Sequence, residues 1–361
     1  MDGADLALSA LKRIFNEKFF RRTGIAACSS VFLLFVLGGL VRVTGSGMGC
    51  PDWPKCFGLL APPTCSCELP ANYQQIFLKQ RVAKLNRFAN TLEALGMSDK
   101  ARVLRNDKKL LEPEEFNAFK AWTEYINRLF GVLAGLFSLA FTLLAFRRIK
   151  EKPGVALFAA LGFVMLLFNA WLGSIVVATN LLPGIVTIHF LFSFLCIFFF
   201  LTALNRNSPF GLLNDDVKIK GHWIVLCLMV LFEVILGTLA REQVEVLKAG
   251  GGLTTKMGDF NVEGMGFMFV LHRYFPLILI VYALRLVRRK NVRYAFQNIG
   301  LILIVVLSVM QMLLGAANIF WVLPGVTQVL HIVLGAFLPI WVFYFVLAKP
   351  GEHSVVNTTA H

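Results

Sequence analysis

The chain holds six histidines, and three of them, His189, His272 and His331, stand inside long apolar stretches. His353 and His361 lie in the polar tail. His222 opens an apolar stretch on its basic side, where a histidine at the membrane surface is the plainer reading. Two of the three apolar-flanked histidines close matching segments. Residues 169–193 read NAWLGSIVVATNLLPGIVTIHFLFS, and residues 311–335 read QMLLGAANIFWVLPGVTQVLHIVLG. Each runs from an amide side chain through Leu-Gly and Leu-Pro-Gly to its histidine. An imidazole in such surroundings either bonds to a neighbouring helix or holds a metal. All three sit about four to seven residues inside alternate stretches, roughly 6–10 Å below one surface at about 1.5 Å per residue. Matched depth at repeat-related positions favours ligation.

His272 and His331 fall in the second and fourth stretches of the C-terminal half. Facing imidazoles across a bundle core grip a haem on both axial faces. Zinc needs three or four protein ligands, and no carboxylate or thiolate completes such a set. The residue types therefore point to haem iron at His272 and His331. Aligning EYINRLFG (124–131) with FVLHRYFP (269–276) sets Arg128 against Arg273 and Asn127 against His272. A haem in the first half would keep His189 as its one protein ligand, leaving a face open to chemistry. Glu124 stands one helical turn before Asn127, where it reads as a proton acceptor or polariser, or as an acid favoured by a helix start. Arg42, Arg128, Arg241 and Arg273 end or open spans on the same side. They suit haem propionates through charge-assisted bonds, and equally suit anchoring at the interface. Glu233 stands in mid-span, paired in the bundle or on a proton path.

The elements that must carry these residues are membrane helices. The chain is 57% hydrophobic, with a mean hydropathy of +0.70. Apolar runs long enough to span a bilayer occur near 24–43, 122–146, 154–178, 184–204, 222–240, 266–286, 297–317 and 325–347. The expected fold class is an all-α polytopic membrane protein, since helices satisfy their own backbone in lipid. Its eight helices would form two repeated four-helix bundles related by a pseudo-twofold along the membrane normal. LGGLVR (37–42) and LGTLAR (236–241) extend the repeat. No cleavable signal is read at the N-terminus.

The net charge of +14 is topological. Lys and Arg crowd the segment before the first span and the connections 147–152, 206–220 and 285–293, whereas 179–184 and 318–324 have none. Both termini are thus expected in the cytoplasm, and nucleic acid is set aside as a partner. The expected divisions are 1–23, an N-terminal half 24–204 with an outer insert 44–121, a linker 205–221, a C-terminal half 222–348, and a tail 349–361. Within the insert, Ile76, Val82, Leu85, Phe88 and Leu92 recur at helical spacing, which predicts an amphipathic segment lying on the membrane or capping the bundle. The glycine-rich loop around Gly250–Gly252 and the tail are expected to be loose. Cys50, Cys56, Cys65 and Cys67 face an oxidising compartment and are disulfide candidates whose pairing the spacing leaves open. Cys28, Cys196 and Cys227 read as packing residues.

These motifs together resemble the haem A synthase family, membrane enzymes that convert haem O to haem A for cytochrome oxidases. The resemblance rests on GGLVRVTGSG with CPDWPKC, EYINR, the Leu-Pro-Gly hairpin ending at His189, HRYFP with His272, and QVLHIVLG with His331. It implies oxidation of the C8 methyl group of haem O to a formyl group, and a haem b cofactor on His272 and His331 with Arg241 and Arg273 beside it. It also implies a substrate haem held by His189 near Glu124, Asn127, Arg42 and Arg128. Where the family commonly has a histidine, this chain has Asn127. Cys50 and Cys56 match the family's outer-loop pair, which is expected to form a disulfide. The implied setting is the cytoplasmic membrane of a bacterium, with a farnesyltransferase supplying haem O, a redox partner, contacts with lipid, and room for a homo-oligomer. Residues 70–121 stand outside the recognised pattern. Two other readings share the histidines: a quinol-oxidising dihaem electron-transfer protein, and a haem transporter or chaperone.

Overall fold

The computed structural model describes residues 3–47, 49–52, 54–94, 96–106, 111–113, 115–178, 184–210, 217–249, 265–288, 295–321 and 323–348. The glycine-rich segment at Gly250–Gly252, the tail with His353 and His361, and Leu182 and Pro183 of the first Leu-Pro-Gly turn lie outside them. Among the described residues the elements are helical: α1 (Gly3–Val43), α2 (Tyr73–Ala94), α3 (Ser98–Arg105), α4 (Ala118–Phe146), α5 (Pro153–Ala178), α6 (Ile185–Asn207), α7 (Val217–Ala249), α8 (Phe267–Val287), α9 (Ala295–Phe320) and α10 (Gly325–Leu347). All but α2 and α3 are long and apolar enough to cross a membrane. The chain is a multi-pass helical membrane protein.

Local signals explain where the helices begin and bend. The side chain of Asn117 accepts the N–H of Lys120 at 3.0 Å and so caps α4, which starts ahead of the expected residue 122. Pro276 in α8 and Pro339 in α10 lie inside their helices. Each deprives the carbonyl four residues earlier of its donor, which for Pro276 is the carbonyl of His272. α7 continues past the expected exit at residue 240 to Ala249. No Gly or Pro interrupts REQVEV (241–246), and Arg241 pairs with Glu245 one turn on.

The two halves share one order of neighbours. In the first, α1 packs on α4 and α6, α4 on α5, and α5 on α6. In the second, α7 packs on α8 and α10, α8 on α9, and α9 on α10. They meet where α10 lies against α1 and α6, and where α6 touches α7. Phe35 stacks on Phe194 at 4.8 Å in the first core, which also takes in Ala336 and Phe343 of α10. Trp223 stacks on Phe345 at 4.1 Å in the second. Leu136, Leu143, Leu157, Leu228 and Leu313 face outward, as a lipid-covered surface requires. At the basic end, Arg148 holds Glu17 at 2.5 Å and Asn207 at 2.8 Å, tying α1, α6 and the α4–α5 turn together.

The insert caps the first half. Leu85, Ala89 and Leu92 of α2 bury against Ala101 and Leu104 of α3, with Ile185 at the head of α6 beside them. α2 also packs against α5. Ile76, expected on the same face, is exposed. The physical reason is length: α3 has eight residues and covers only the far part of α2.

Candidate active site

In the second half the imidazoles of His272 and His331 face each other with ring centroids 6.1 Å apart and planes at 89°. They come from α8 and α10, which are diagonal rather than adjacent in the bundle. Metal–imidazole bonds of about 2 Å on each face, plus the radius of each ring, place two such centroids about 6 Å apart. Nδ1 of His272 lies 2.7 Å from Oε1 of Glu233 on α7. The approach lies off the straight line of a ring N–H, and it leaves Nε2 of His272 as the nitrogen free for a ligand, close to the arrangement in which a carboxylate orients a metal-binding histidine. Gly237, one turn after Glu233, lets the ring lie against α7, since a Cβ there would stand 3.0 Å from Cε1 of His272. Nδ1 of His331 is buried without a protein partner.

Each repeat-related histidine is also held from the preceding helix, in two different ways. Gln311 donates from Nε2 to the carbonyl of His331 at 2.8 Å. Asn169, one methylene shorter, donates to Ser193 Oγ at 2.6 Å, and Ser193 donates to the carbonyl of His189 at 2.8 Å. The residue matching Ser193 is Gly335, where a Cβ would stand 3.4 Å from the Gln311 amide. The hydroxyl thus occupies the space that the longer amide fills in the second half. Gly173 and Gly315 back the two rings, with a Cβ at 3.3 Å from Cε1 of His189 and 3.6 Å from Cε1 of His331.

In the first half, Nδ1 of His189 and Oδ1 of Asn127 are both buried without protein partners. Orphaned polar atoms in an apolar bundle are unfavourable unless a ligand meets them. Together with the facing pair His272 and His331, they fit a haem-type group in donor chemistry.

Glu124, buried one helical turn before Asn127, has two partners. Its Oε2 accepts the backbone N–H of Cys50 at 2.9 Å, and its Oε1 accepts Arg128 Nη2 at 2.5 Å. Arg128 also donates to the carbonyls of Cys50 at 2.7 Å and Asp52 at 2.5 Å. Glu124 and Arg128 therefore fasten the outer loop, which the Cys50–Cys56 disulfide closes. Gly49 has to be glycine for that docking, since a Cβ would stand 2.5 Å from the backbone of Lys120. Cys65 and Cys67 form a second disulfide in this loop.

Two of the four outer arginines converge rather than separate into two sites. Arg42 of α1 and Arg241 of α7 both reach Glu245, each at 3.1 Å. One carboxylate so bridges equivalent positions of the two halves. Arg273 is exposed over the ring of Tyr274, 5.6 Å from its centroid. Glu242 accepts the N–H of Gly184 at 2.8 Å, which ties the first Leu-Pro-Gly turn to α7. Sequence reasoning missed Glu242 and Glu245 because it ended the fifth span at residue 240. The signal was the Arg241–Glu245 spacing of one helical turn.

Comparison with known proteins agrees with this architecture. A sequence model of the COX15-CtaA family, cytochrome oxidase assembly proteins, matches residues 21–89 and 105–343. It passes through most of the insert expected to stand apart, leaving out only the end of α2 and nearly all of α3. Three curated relatives are each called heme A synthase. That of Shewanella oneidensis is 27% identical over 56% of this chain and 50% of its own length. That of Shouchella clausii is 23% identical over 49% and 42%. That of Nitrosospira multiformis is 27% identical over 40% and 36%. The chain therefore spans half or less of the length of the curated relatives it matches. With the family pattern running through all eight spans, the chain belongs to the COX15-CtaA family of cytochrome oxidase assembly proteins.

Proposed function

We propose that the protein is a haem A synthase, an oxidoreductase that converts the C8 methyl group of haem O to a formyl group. The observation that carries this reading is the pairing of facing imidazoles in one half with an unpaired histidine in the other. His272 and His331, 6.1 Å apart, are the ligands proposed for haem b. His189, opposite an asparagine in the repeat, is the ligand proposed for the iron of the substrate. When bound, haem b supplies a one-electron redox centre beside the substrate half. Turning a methyl into a formyl group with water as the source of oxygen releases electrons and protons in equal number, so the reaction also requires an electron acceptor and a route for the protons.

The protein's own groups position and enclose. Asn169 and Ser193 set the turn of α6 that carries His189. Asn127 offers the substrate a buried amide and no second iron ligand. Glu124 and Arg128 hold the outer loop over this half. Each oxygen of Glu124 accepts one hydrogen bond and keeps a further lone pair, so the acid can take a proton while it holds the loop. Arg42, Arg241 and Arg273 are the cations proposed for propionates, the first two by exchanging Glu245 for them. The shared order of neighbours supports the two bundles as copies related by a pseudo-twofold along the membrane normal, with haem O in 24–204 and haem b in 222–348. The basic connections support cytoplasmic termini in a bacterial membrane. A farnesyltransferase that makes haem O and an electron-accepting partner complete the proposal.

Coexpression with a haem O producer, followed by extraction and mass analysis of haems, tests the activity. Haem A is the expected product; folded, haem-loaded protein that leaves haem O unchanged would refute it.

A further inference from the structure

We infer that Glu233 is a positioning and tuning residue for the haem iron proposed between His272 and His331: its carboxylate lies against Nδ1 of His272 and holds the reduction potential of that haem down. The inference rests on the proposed ligand pair and goes beyond it. Nδ1 of His272 lies 2.7 Å from Oε1 of Glu233, with the side chains 24% and 15% exposed. No Lys or Arg is paired with Glu233 among the described residues. The second carboxylate oxygen is buried without a partner, and Nδ1 of His272 stands off the straight N–H···O line, so a small turn of the ring, as a ligand on Nε2 would set it, closes the hydrogen bond.

A carboxylate on the distal nitrogen draws the N–H proton toward itself and makes the other nitrogen a stronger donor. Ferric iron gains more from a stronger donor and a nearby negative charge than ferrous iron does, so the potential falls. The effect belongs to one half only. LGTLAR and LGGLVR set Gly237 against Gly38, and the same register sets Glu233 against Leu34. The position opposite the ring of His272 is likewise empty of histidine in the first half, where Asn127 stands. The acid and its imidazole are thus present together in one repeat and absent together from the other. A carboxylate retained only for helix packing would have no reason to follow the histidine.

The test is a redox titration of haem b in the purified, haem-loaded protein and in Glu233→Gln, with the optical spectrum recorded at each step. Glu233→Gln is expected to keep the low-spin spectrum of two histidine ligands and to show a higher midpoint potential. Glu233→Asp, with its carboxylate one methylene further back, should move part of the way. An unmoved potential in a haem-loaded Glu233→Gln overturns the inference. If Glu233→Gln does not hold haem, Glu233→Asp decides, and an unmoved potential there overturns it too. Loss of haem from both variants makes Glu233 a structural residue and also overturns it. A wild-type protein with no low-spin haem b instead defeats the ligand assignment itself.

Discussion

Glu124 accepts the backbone N–H of Cys50 across 2.9 Å, so the acid at the head of the second span is a fastening of the outer loop. The contact joins a membrane helix to the segment closed by the Cys50–Cys56 disulfide. Removing the acid leaves the Cys50 N–H without an acceptor and leaves Arg128, still bonded to loop carbonyls, without its counter-charge. Glu124→Ala should cost about 3–5 kcal/mol, the range for breaking one side of a buried ion pair. Glu124→Gln keeps an acceptor for Cys50 and should cost less. Thermal unfolding of the detergent-solubilised variants, with limited proteolysis after residue 50, reads both effects. Equal stability of Glu124→Ala and wild type would contradict the fastening role.

The two ways of holding the histidine carbonyls make an exchange experiment. Asn169→Gln alone should clash with Ser193, and Ser193→Gly alone should leave Asn169 short of its target. The double change copies the Gln311 and Gly335 arrangement and should restore what either single change loses. The measure is the melting temperature across the four proteins, read as a double-mutant cycle. Additive losses would show that the side chains do not act as one unit.

Glycine at the backs of the rings gives a graded prediction. A methyl group at 237 meets His272 at 3.0 Å, one at 173 meets His189 at 3.3 Å, and one at 315 meets His331 at 3.6 Å. Haem retention should therefore suffer most in Gly237→Ala and least in Gly315→Ala. The last variant should gain stability, since alanine favours a helix by about 1 kcal/mol over glycine. Haem-to-protein ratios and melting curves for the three variants check the order.

The α2–α3 hairpin should loosen in acid. The guanidinium of Arg105 bonds Glu93 at 2.5 Å and holds its carboxyl below the usual glutamate range. A lowered folded-state value means that the stabilisation is fully present above the ordinary pKa of about 4.3 and is lost as the pH falls below it. Hydrogen exchange across residues 73–105 should rise as the pH is taken from neutral to below that range, after correction for the intrinsic rate. Glu93→Gln should flatten the dependence.

Much of this was legible in the chain itself because membrane helices and repeated histidines announce themselves through simple patterns. Eight apolar runs gave the spans, and equal depth of three histidines gave the facing pair, since depth follows directly from counting residues along a helix. Rotation about the helix axis does not follow from counting. That is why the contact of Glu124 with Cys50, which lies 74 positions away in sequence, was not legible in the chain. The Asn169–Ser193 bridge was hidden for the same reason, as it depends on how two helices face. Glu245 was hidden by a different cause: hydropathy marks where lipid ends and not where a helix ends, and α7 continues beyond the apolar run to bring Arg42 and Arg241 onto one carboxylate.

The reduced-minus-oxidised spectrum of the purified protein, compared with that of His331→Ala, probes the account at its centre. Wild type is predicted to carry a tightly held low-spin haem b and His331→Ala to lose it, while His189→Ala keeps it. A low-spin haem b spectrum that survives in His331→Ala would contradict the assignment on which the rest is built.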